Sequence, residues 1–311
     1  DCVEFDIGVF TNLTRDHLDY HRTMEDYFQA KQRFFGMLGE SPKQTRVVAN
    51  GDDEYGRRVI AAGSPGSISF GTLGDTSLVA GNIGLEREGM HFTVNAGDRT
   101  MAVESGLIGR HNVYNILAAI GVAEALELPV DKMIAALAKT PPVPGRLESI
   151  DMGQGFNVIV DYAHTEDALE NVLTTLREIT EGRILLCFGC GGNRDAAKRT
   201  KMGEAAARLA DYTVVTSDNP RKESAAAIAA QIEAGYLGVR SDGIRAILDR
   251  HAAIRDVIHL AKKGDTVLIA GKGHETFQEL HDAVIPFDDR RHAAEVLQDS
   301  MGGGRKILRA A

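Results

Sequence analysis

The sequence predicts an α/β fold in two domains, and three observations carry the prediction. Apolar, β-branched runs alternate with helical patterns along most of the 311 residues. Between residues 77 and 106 the pattern changes to alternating strands separated by glycine-rich turns, which marks an antiparallel patch. The break Pro141-Pro142-Val143-Pro144-Gly145 then separates two stretches, each long enough for its own core. The boundary is placed there, giving domains 1–143 and 144–311.

In the first domain, residues 6–13 read as a buried strand. Thr23-Met24-Glu25-Asp26 has capping-box character and starts a helix through Tyr27, Ala30, Phe34 and Met37. A short strand at 45–49 and a helix at 53–62 continue the alternation, and the antiparallel patch comprises strands at 78–85, 90–94 and 99–104. Helices at 113–126, with Asn112 as N-cap, and at 130–138 close the domain. In the second domain, strands at 158–162, 184–188, 212–216 and 266–270 are separated by helices at 167–179, 196–210, 224–236 and 244–262. That spacing implies a Rossmann-like parallel sheet with right-handed crossovers, covered on both faces. Gly302-Gly303-Gly304 reads as a flexible tail.

Composition narrows the classes of function. Hydrophobic residues make up 43% and charged residues 25% of the chain, a globular balance, and a formal net charge of −9 with dispersed basic residues excludes an electrostatic footprint for nucleic acid. No apolar stretch approaches a membrane span and no leader pattern opens the chain, so the expectation is a cytoplasmic protein without a membrane partner. Cys2, Cys187 and Cys190 are too few and too badly placed for a disulfide framework, and reduced thiols are expected. Asp1 is not an initiator Met and a strand follows almost at once, which suggests a fragment whose beginning is missing.

Ligands of open α/β sheets bind outside the carboxyl ends of the strands, and each predicted strand of the second domain ends in a polar or glycine-rich turn. At the end of the first stands Asp161, and after the second comes Gly189-Cys190-Gly191-Gly192-Asn193-Arg194-Asp195, whose glycines let backbone N–H groups approach an anion beside the Arg194 charge. After the third comes Ser217-Asp218-Asn219-Pro220-Arg221, where Arg221 can meet a carboxylate with a planar fork. After the fourth, Gly271-Lys272-Gly273-His274-Glu275 offers a carboxylate to an ammonium group. Together they suit a zwitterionic amino acid. Gly-Lys-Gly is not a phosphate loop, since the spacing of that motif occurs nowhere in the chain. The spacing Cys187-Phe188-Gly189-Cys190 does not make a redox pair, because Cys187 lies inside a strand rather than at a helix start. In the first domain, residues 12–21 crowd carboxylates and imidazoles into the turn after the first strand, a metal-ligating composition that a solvated loop would also show. His111-Asn112-Val113-Tyr114-Asn115 opens a helix whose asparagines can read a base edge, and Arg146 and Asp161 can serve the ribose or phosphates of a nucleotide held between domains.

These segments, together with Ala30-Lys31, Gly109-Arg110, Pro144-Gly145-Arg146 and Asp161-Tyr162-Ala163-His164, resemble the Mur ligase family in order and over essentially the whole chain. The resemblance is to those members that add meso-2,6-diaminopimelate to UDP-N-acetylmuramoyl-L-alanyl-D-glutamate in peptidoglycan precursor synthesis. It implies a three-domain ligase, of which this chain holds most of the central ATPase domain and the whole C-terminal domain, and a reaction through an acyl phosphate that uses ATP and Mg²⁺. It further implies that Lys31 is carbamylated and ligates Mg²⁺, that His17 ligates a second Mg²⁺, and that His164 lies near the γ-phosphate. By the same resemblance His111, Asn115, Arg146 and Asp161 hold the nucleotide, and Arg194, Asp218, Asn219, Arg221, Gly271 and Glu275 hold diaminopimelate. A monomer working on small-molecule substrates is expected.

Departures from the family pattern bear on activity. Its phosphate loop, a Glu metal ligand and the uridine-binding domain should precede Asp1, so the chain as written is expected to be inactive. Thr165-Glu166 replaces the usual Thr-Pro, which keeps the helix start but adds a negative charge near the phosphate site. The alternatives are a lysine-adding ligase, against which Arg221 argues because lysine would leave a buried arginine unpaired, a folylpolyglutamate-type ligase, and a noncatalytic ligand-binding fragment.

Overall fold

The computed structural model describes residues 3–14, 18–63, 66–86 and 89–301. The chain divides into two compact units, Asp1–Pro141 and Pro142–Ala311. Among the described residues no helix is long and apolar enough to cross a membrane.

The first unit runs β1 (Ile7–Phe10), α1 (Leu18–His21), α2 (Met24–Gly39), β2 (Arg46–Asn50), α3 (Glu54–Ala61), β3 (Ile68–Gly71), β4 (Leu78–Glu86), β5 (Gly89–Ala96), β6 (Arg99–Ser105), α4 (Arg110–Ala125) and α5 (Val130–Leu137). Its strands form one sheet in chain order, parallel from β1 to β4 and antiparallel from β4 to β6, so the antiparallel patch continues the parallel strands edge to edge. The Thr23 hydroxyl accepts from the Asp26 N–H and starts α2 where its capping residues predict. One core packs Val113, Ile116, Leu117 and Ile120 of α4 against β2 to β6, and a second gathers Phe28, Leu38 and Val59 of the other helices on Phe10, Val47 and Ala49. Strand β3 is not legible in the sequence, being four residues long and closed by a glycine.

The second unit runs β7 (Glu148–Ser149), β8 (Asn157–Asp161), α6 (Glu166–Ile179), β9 (Ile184–Phe188), α7 (Ala197–Leu209), β10 (Tyr212–Val215), α8 (Ala225–Leu237), β11 (Ile244–Ala246), α9 (Arg250–Leu260), β12 (Thr266–Ala270), β13 (Phe277–Glu279), β14 (Val284–Pro286) and α10 (Asp289–Met301). The sheet order is β11-β10-β9-β12-β8-β7, parallel throughout except for β7, and β13 pairs β14 in a separate antiparallel hairpin. Both faces of β8, β9 and β12 are buried, as their continuous apolar runs require. Helices α9 and α10 pack on one face through Ile254, Val257, Val296 and Leu297.

Two expectations fail here. The helix expected over 244–262 is a short edge strand followed by a helix, because Ile244–Ala246 pairs with β10 and the Asp249 carboxylate, accepting from the Ala252 N–H, caps a helix that starts only at Arg250. The four expected strands are joined by β7 and β11, both at sheet edges and both too short for a periodic signal. The glycine-rich tail lies outside the described residues.

Candidate active site

The parallel strands of the second unit bring four loops to one edge. The loop after β10 is the most enclosed, with Ser217, Asp218 and Asn219 all buried. Its position is fixed from below by Arg250, whose side chain has no exposed surface and forms a bidentate pair with the equally buried Asp289 side chain at 2.8 and 2.7 Å. Desolvation lowers the Arg250 pKa, but the charge of Asp289 and its hydrogen bonds outweigh burial and carry the net shift upward. The same guanidinium donates to the Ser217 carbonyl at 3.3 Å and to the Ala270 carbonyl at 3.0 Å, so one cation holds the ends of β10 and β12 together.

Above this clamp lies a polar network. Lys272, fully buried, donates from Nζ to Asn219 Oδ1 and to Glu275 Oε2, each at 3.0 Å. Asn219 Nδ2 also donates to Glu275 Oε2 at 3.0 Å, and Asn219 Oδ1 further accepts the Glu279 N–H at 3.0 Å. Gly271 has φ of 113°, and a Cβ there would stand 2.8 Å from Asp218 Oδ2, which explains a glycine at this turn. Arg221, itself at φ 52°, pairs through Nε with Glu279 Oε2 at 2.5 Å and donates from Nη1 to the Gly192 carbonyl at 2.9 Å.

The loop after β9 is fastened to this network. The Gly192 N–H donates to the Asn219 carbonyl at 2.9 Å, and a Cβ at Gly192 would stand 2.0 Å from the Pro220 carbonyl oxygen. Arg199, buried in α7, donates to both oxygens of Glu223, to Gln231 and to the Gly191 carbonyl. The hydrogen bond from Arg199 holds the Glu223 carboxyl below its ordinary value, with the Asn193 N–H adding to the effect. Arg194 stands exposed on the same loop. Burial pushes the thiols of Cys187 and Cys190 up to about 12, so neither is a thiolate nucleophile.

At the end of β8 the Asp161 carboxylate is buried and accepts from the Leu147 N–H at 2.8 Å and the Ala163 N–H at 2.7 Å. Desolvation raises its pKa, and these donors with the Arg146 charge only partly offset it. Asp161 therefore shapes the two loops beside it, and its expected direct contact with a nucleotide would have to share oxygens already engaged. Beside it the Tyr162 ring lies 4.7 Å from His164 and 5.1 Å from His274, with the Arg146 guanidinium 4.8 Å above it. That aromatic and cationic shelf suits a planar or anionic group.

In the first unit, α4 begins at Gly109 with no side-chain cap, which corrects the expected Asn112 N-cap: Asn112 lies inside the helix and its amide donates to the Ile108 carbonyl at 2.8 Å. Asn115 donates to Asn112 Oδ1 at 3.0 Å, and His111 is exposed at the same helix end. Tyr114 donates to Asp52 at 2.8 Å and lies 3.0 Å from Thr72 Oγ1, anchoring that end to the loops after β2 and β3. Lys31 lies on the exposed side of α2 with its ammonium 5.3 Å from the Tyr27 ring centroid. His17 lies outside the described residues. Among the described residues no group of three or more His, Cys, Asp or Glu side chains is placed to hold a metal ion.

Sequence reasoning thus missed Lys272, Glu279 and the Arg250–Asp289 clamp. Lys272 carried a signal, standing between two glycines at a strand end, whereas Glu279 and Asp289 sit on β13 and α10, which the periodicity did not reveal. The expectation that lysine would leave a buried arginine unpaired also changes, since Arg221 is 29% exposed at its side chain and already carries Glu279.

Two family models match the chain, the Mur ligase middle domain over residues 1–123 and the Mur ligase, glutamate ligase domain over residues 145–273. The chain belongs to the Mur ligase family. Among its curated relatives, the UDP-N-acetylmuramoyl-L-alanyl-D-glutamate--2,6-diaminopimelate ligase of Syntrophomonas wolfei is 45% identical over 296 residues, covering 95% of this chain and 60% of that protein. The ligase of the same name from Bacillus velezensis is 45% identical over 300 residues, covering 94% of this chain and 60% of that protein. A solved structure of a ligase of this name is 33% identical with a TM-score of 0.65, covering 96% of this chain and 61% of that one. The MurF ligase of Thermotoga maritima, solved with ADP, shares the fold at 20% identity and a TM-score of 0.69, covering 95% of this chain and 62% of that one. The chain thus spans about 60% of the length of the curated Mur ligases it matches.

Proposed function

We propose that the protein carrying this chain is an ATP-dependent amide ligase that joins meso-2,6-diaminopimelate to UDP-N-acetylmuramoyl-L-alanyl-D-glutamate. The observation that carries the reading is the loop edge of the second unit, where Arg221 and Glu275 present opposite charges on loops tied to each other through Asn219. An amino acid with a carboxylate and an ammonium at its distal carbon finds a partner for each. The names and identities of the relatives support the same substrate.

Phosphoryl transfer from ATP converts the terminal carboxylate of the nucleotide-linked dipeptide into an acyl phosphate, and the amine of diaminopimelate then attacks the acyl carbon and expels phosphate. This chain's part is positioning. Arg221 takes the distal carboxylate, Glu275 accepts from the ammonium, and Arg194 adds positive charge at the rim. Fixing an amine against an acyl carbon removes orientational freedom from the barrier, which is worth up to about 7–11 kcal/mol in well-aligned systems. The nucleotide reading for His111, Asn115, Arg146, Asp161 and His164, and carbamylation of Lys31 as a Mg²⁺ ligand, belong to this proposal and rest on the resemblance.

The test is a ligation assay on the longest form of the protein its gene encodes, with ATP, the nucleotide dipeptide and either meso-diaminopimelate or L-lysine. Diaminopimelate is expected to be strongly preferred, and Arg221→Ala should lower its kcat/KM by roughly ten- to hundredfold while leaving lysine nearly unchanged. Equal use of lysine by the unaltered enzyme would defeat the substrate assignment.

A further inference from the structure

Arg221 does not wait bare for a ligand. Its Nε lies 2.5 Å from Glu279 Oε2, and its backbone N–H donates to the Glu279 carbonyl at 3.2 Å. The Glu279 N–H in turn donates to Asn219 Oδ1 at 3.0 Å. The backbone of Glu279 is thereby fastened to the Asp-Asn-Pro-Arg loop at two points, while its carboxylate is 34% exposed and attached only through rotatable bonds. We propose that Glu279 is a specificity-determining residue, an internal carboxylate that occupies Arg221 and must be exchanged for the distal carboxylate of the incoming amino acid. The inference rests on the assignment of Arg221 to that carboxylate.

The exchange follows from charge. Glu279 and the ligand's carboxylate are alike in charge and in hydrogen-bonding capacity, so the guanidinium cannot give its Nε–H to both at full strength. A ligand carboxylate that takes the Nε edge of the guanidinium must displace Glu279, so binding diaminopimelate gains less than it would from an unpaired arginine. Lysine leaves the Arg221–Glu279 pair intact and strands no bare cation. Glu279 thus narrows the discrimination that an unpaired arginine would impose, and it keeps the free loop in its binding conformation. Both side chains are partly exposed, so solvent can cover either charge during the exchange.

The experiment is calorimetric titration of the 311-residue chain with meso-diaminopimelate and, separately, L-lysine, for the unaltered protein, Glu279→Gln and Arg221→Ala. Glu279→Gln keeps both backbone hydrogen bonds and is expected to tighten diaminopimelate about fivefold, the scale of a partly exposed ion pair, while lysine changes by less than about twofold. If Glu279→Gln unfolds, as its thermal midpoint would show, Glu279→Asp draws the carboxylate back from Arg221 and is expected to tighten diaminopimelate by a smaller factor. Unchanged or weaker diaminopimelate binding in the folded Glu279 variant, with Arg221→Ala still weakening it, overturns the inference and leaves the Arg221 assignment standing. No weakening by Arg221→Ala overturns both.

Discussion

Lys272 is a cation with no exposed surface whose ammonium touches one amide oxygen and one carboxylate oxygen, and those two groups belong to different loops of the candidate site. Its role is to hold Asn219 and Glu275 in one geometry before any ligand arrives. Lys272→Met fills a similar volume but strands both partners, so it should destabilise the chain by about 2–3 kcal/mol in urea unfolding, with Lys272→Met/Glu275→Gln recovering part of the loss. Full additivity of the two single changes would show that the residues do not act as a unit. Arg221, Asn219 and Glu275 were legible as residues of one loop edge because they follow apolar strands whose ends must share an edge. Lys272 was visible in its loop but not as their partner, since contact across 53 residues is set by strand order, which the sequence does not state.

Among the elements, α10 bears directly on the site although it carries none of the expected site residues. Asp289 at its start neutralises Arg250 at the start of α9, and Arg250 holds the carbonyls at the ends of β10 and β12. Removing one partner of a buried pair typically costs about 3–5 kcal/mol, so Asp289→Asn should lower stability by about that amount and weaken amino-acid binding although it touches no ligand. A loss below about 1 kcal/mol would remove the clamp from the account. The same two helices meet at His251 and His292, whose Nδ1 atoms are 3.1 Å apart. Burial depresses the His292 pKa, and the nearby His251 lowers it further, while Glu295 and Asp289 pull the other way. A histidine whose folded pKa is depressed contributes stability that is present above its unfolded value, about 6.5, and lost as pH falls through the folded value. Unfolding midpoints should therefore drop more between about pH 7.5 and about pH 5.5 in the unaltered protein than in His292→Gln, and equal drops would show that His292 does not titrate in this way. Elements with long periodic runs were legible, among them α2, α6, β9 and β12, whereas strands β3, β7, β11, β13 and β14 are each two to four residues long and leave no period to read.

For the whole molecule, two α/β units and a family match in the same order agree with the architecture that strand and helix alternation predicts. The loop edge proposed for the amino acid is built within the second unit, where Lys272, Arg250 and Arg199 are each paired to a carboxylate and serve to fix the loops. The Mg²⁺ ligands were nominated from the family pattern, beside a metal-ligating composition in residues 12–21; Lys31 stands exposed on α2, and His17 lies outside the described residues. The most direct test of the central claim is a crystal structure of the chain with meso-diaminopimelate bound. One carboxylate of the ligand is expected within hydrogen-bond distance of the Arg221 guanidinium, with the Glu279 carboxylate turned away. A ligand whose carboxylates both lie elsewhere, with Arg221 still on Glu279, would contradict it.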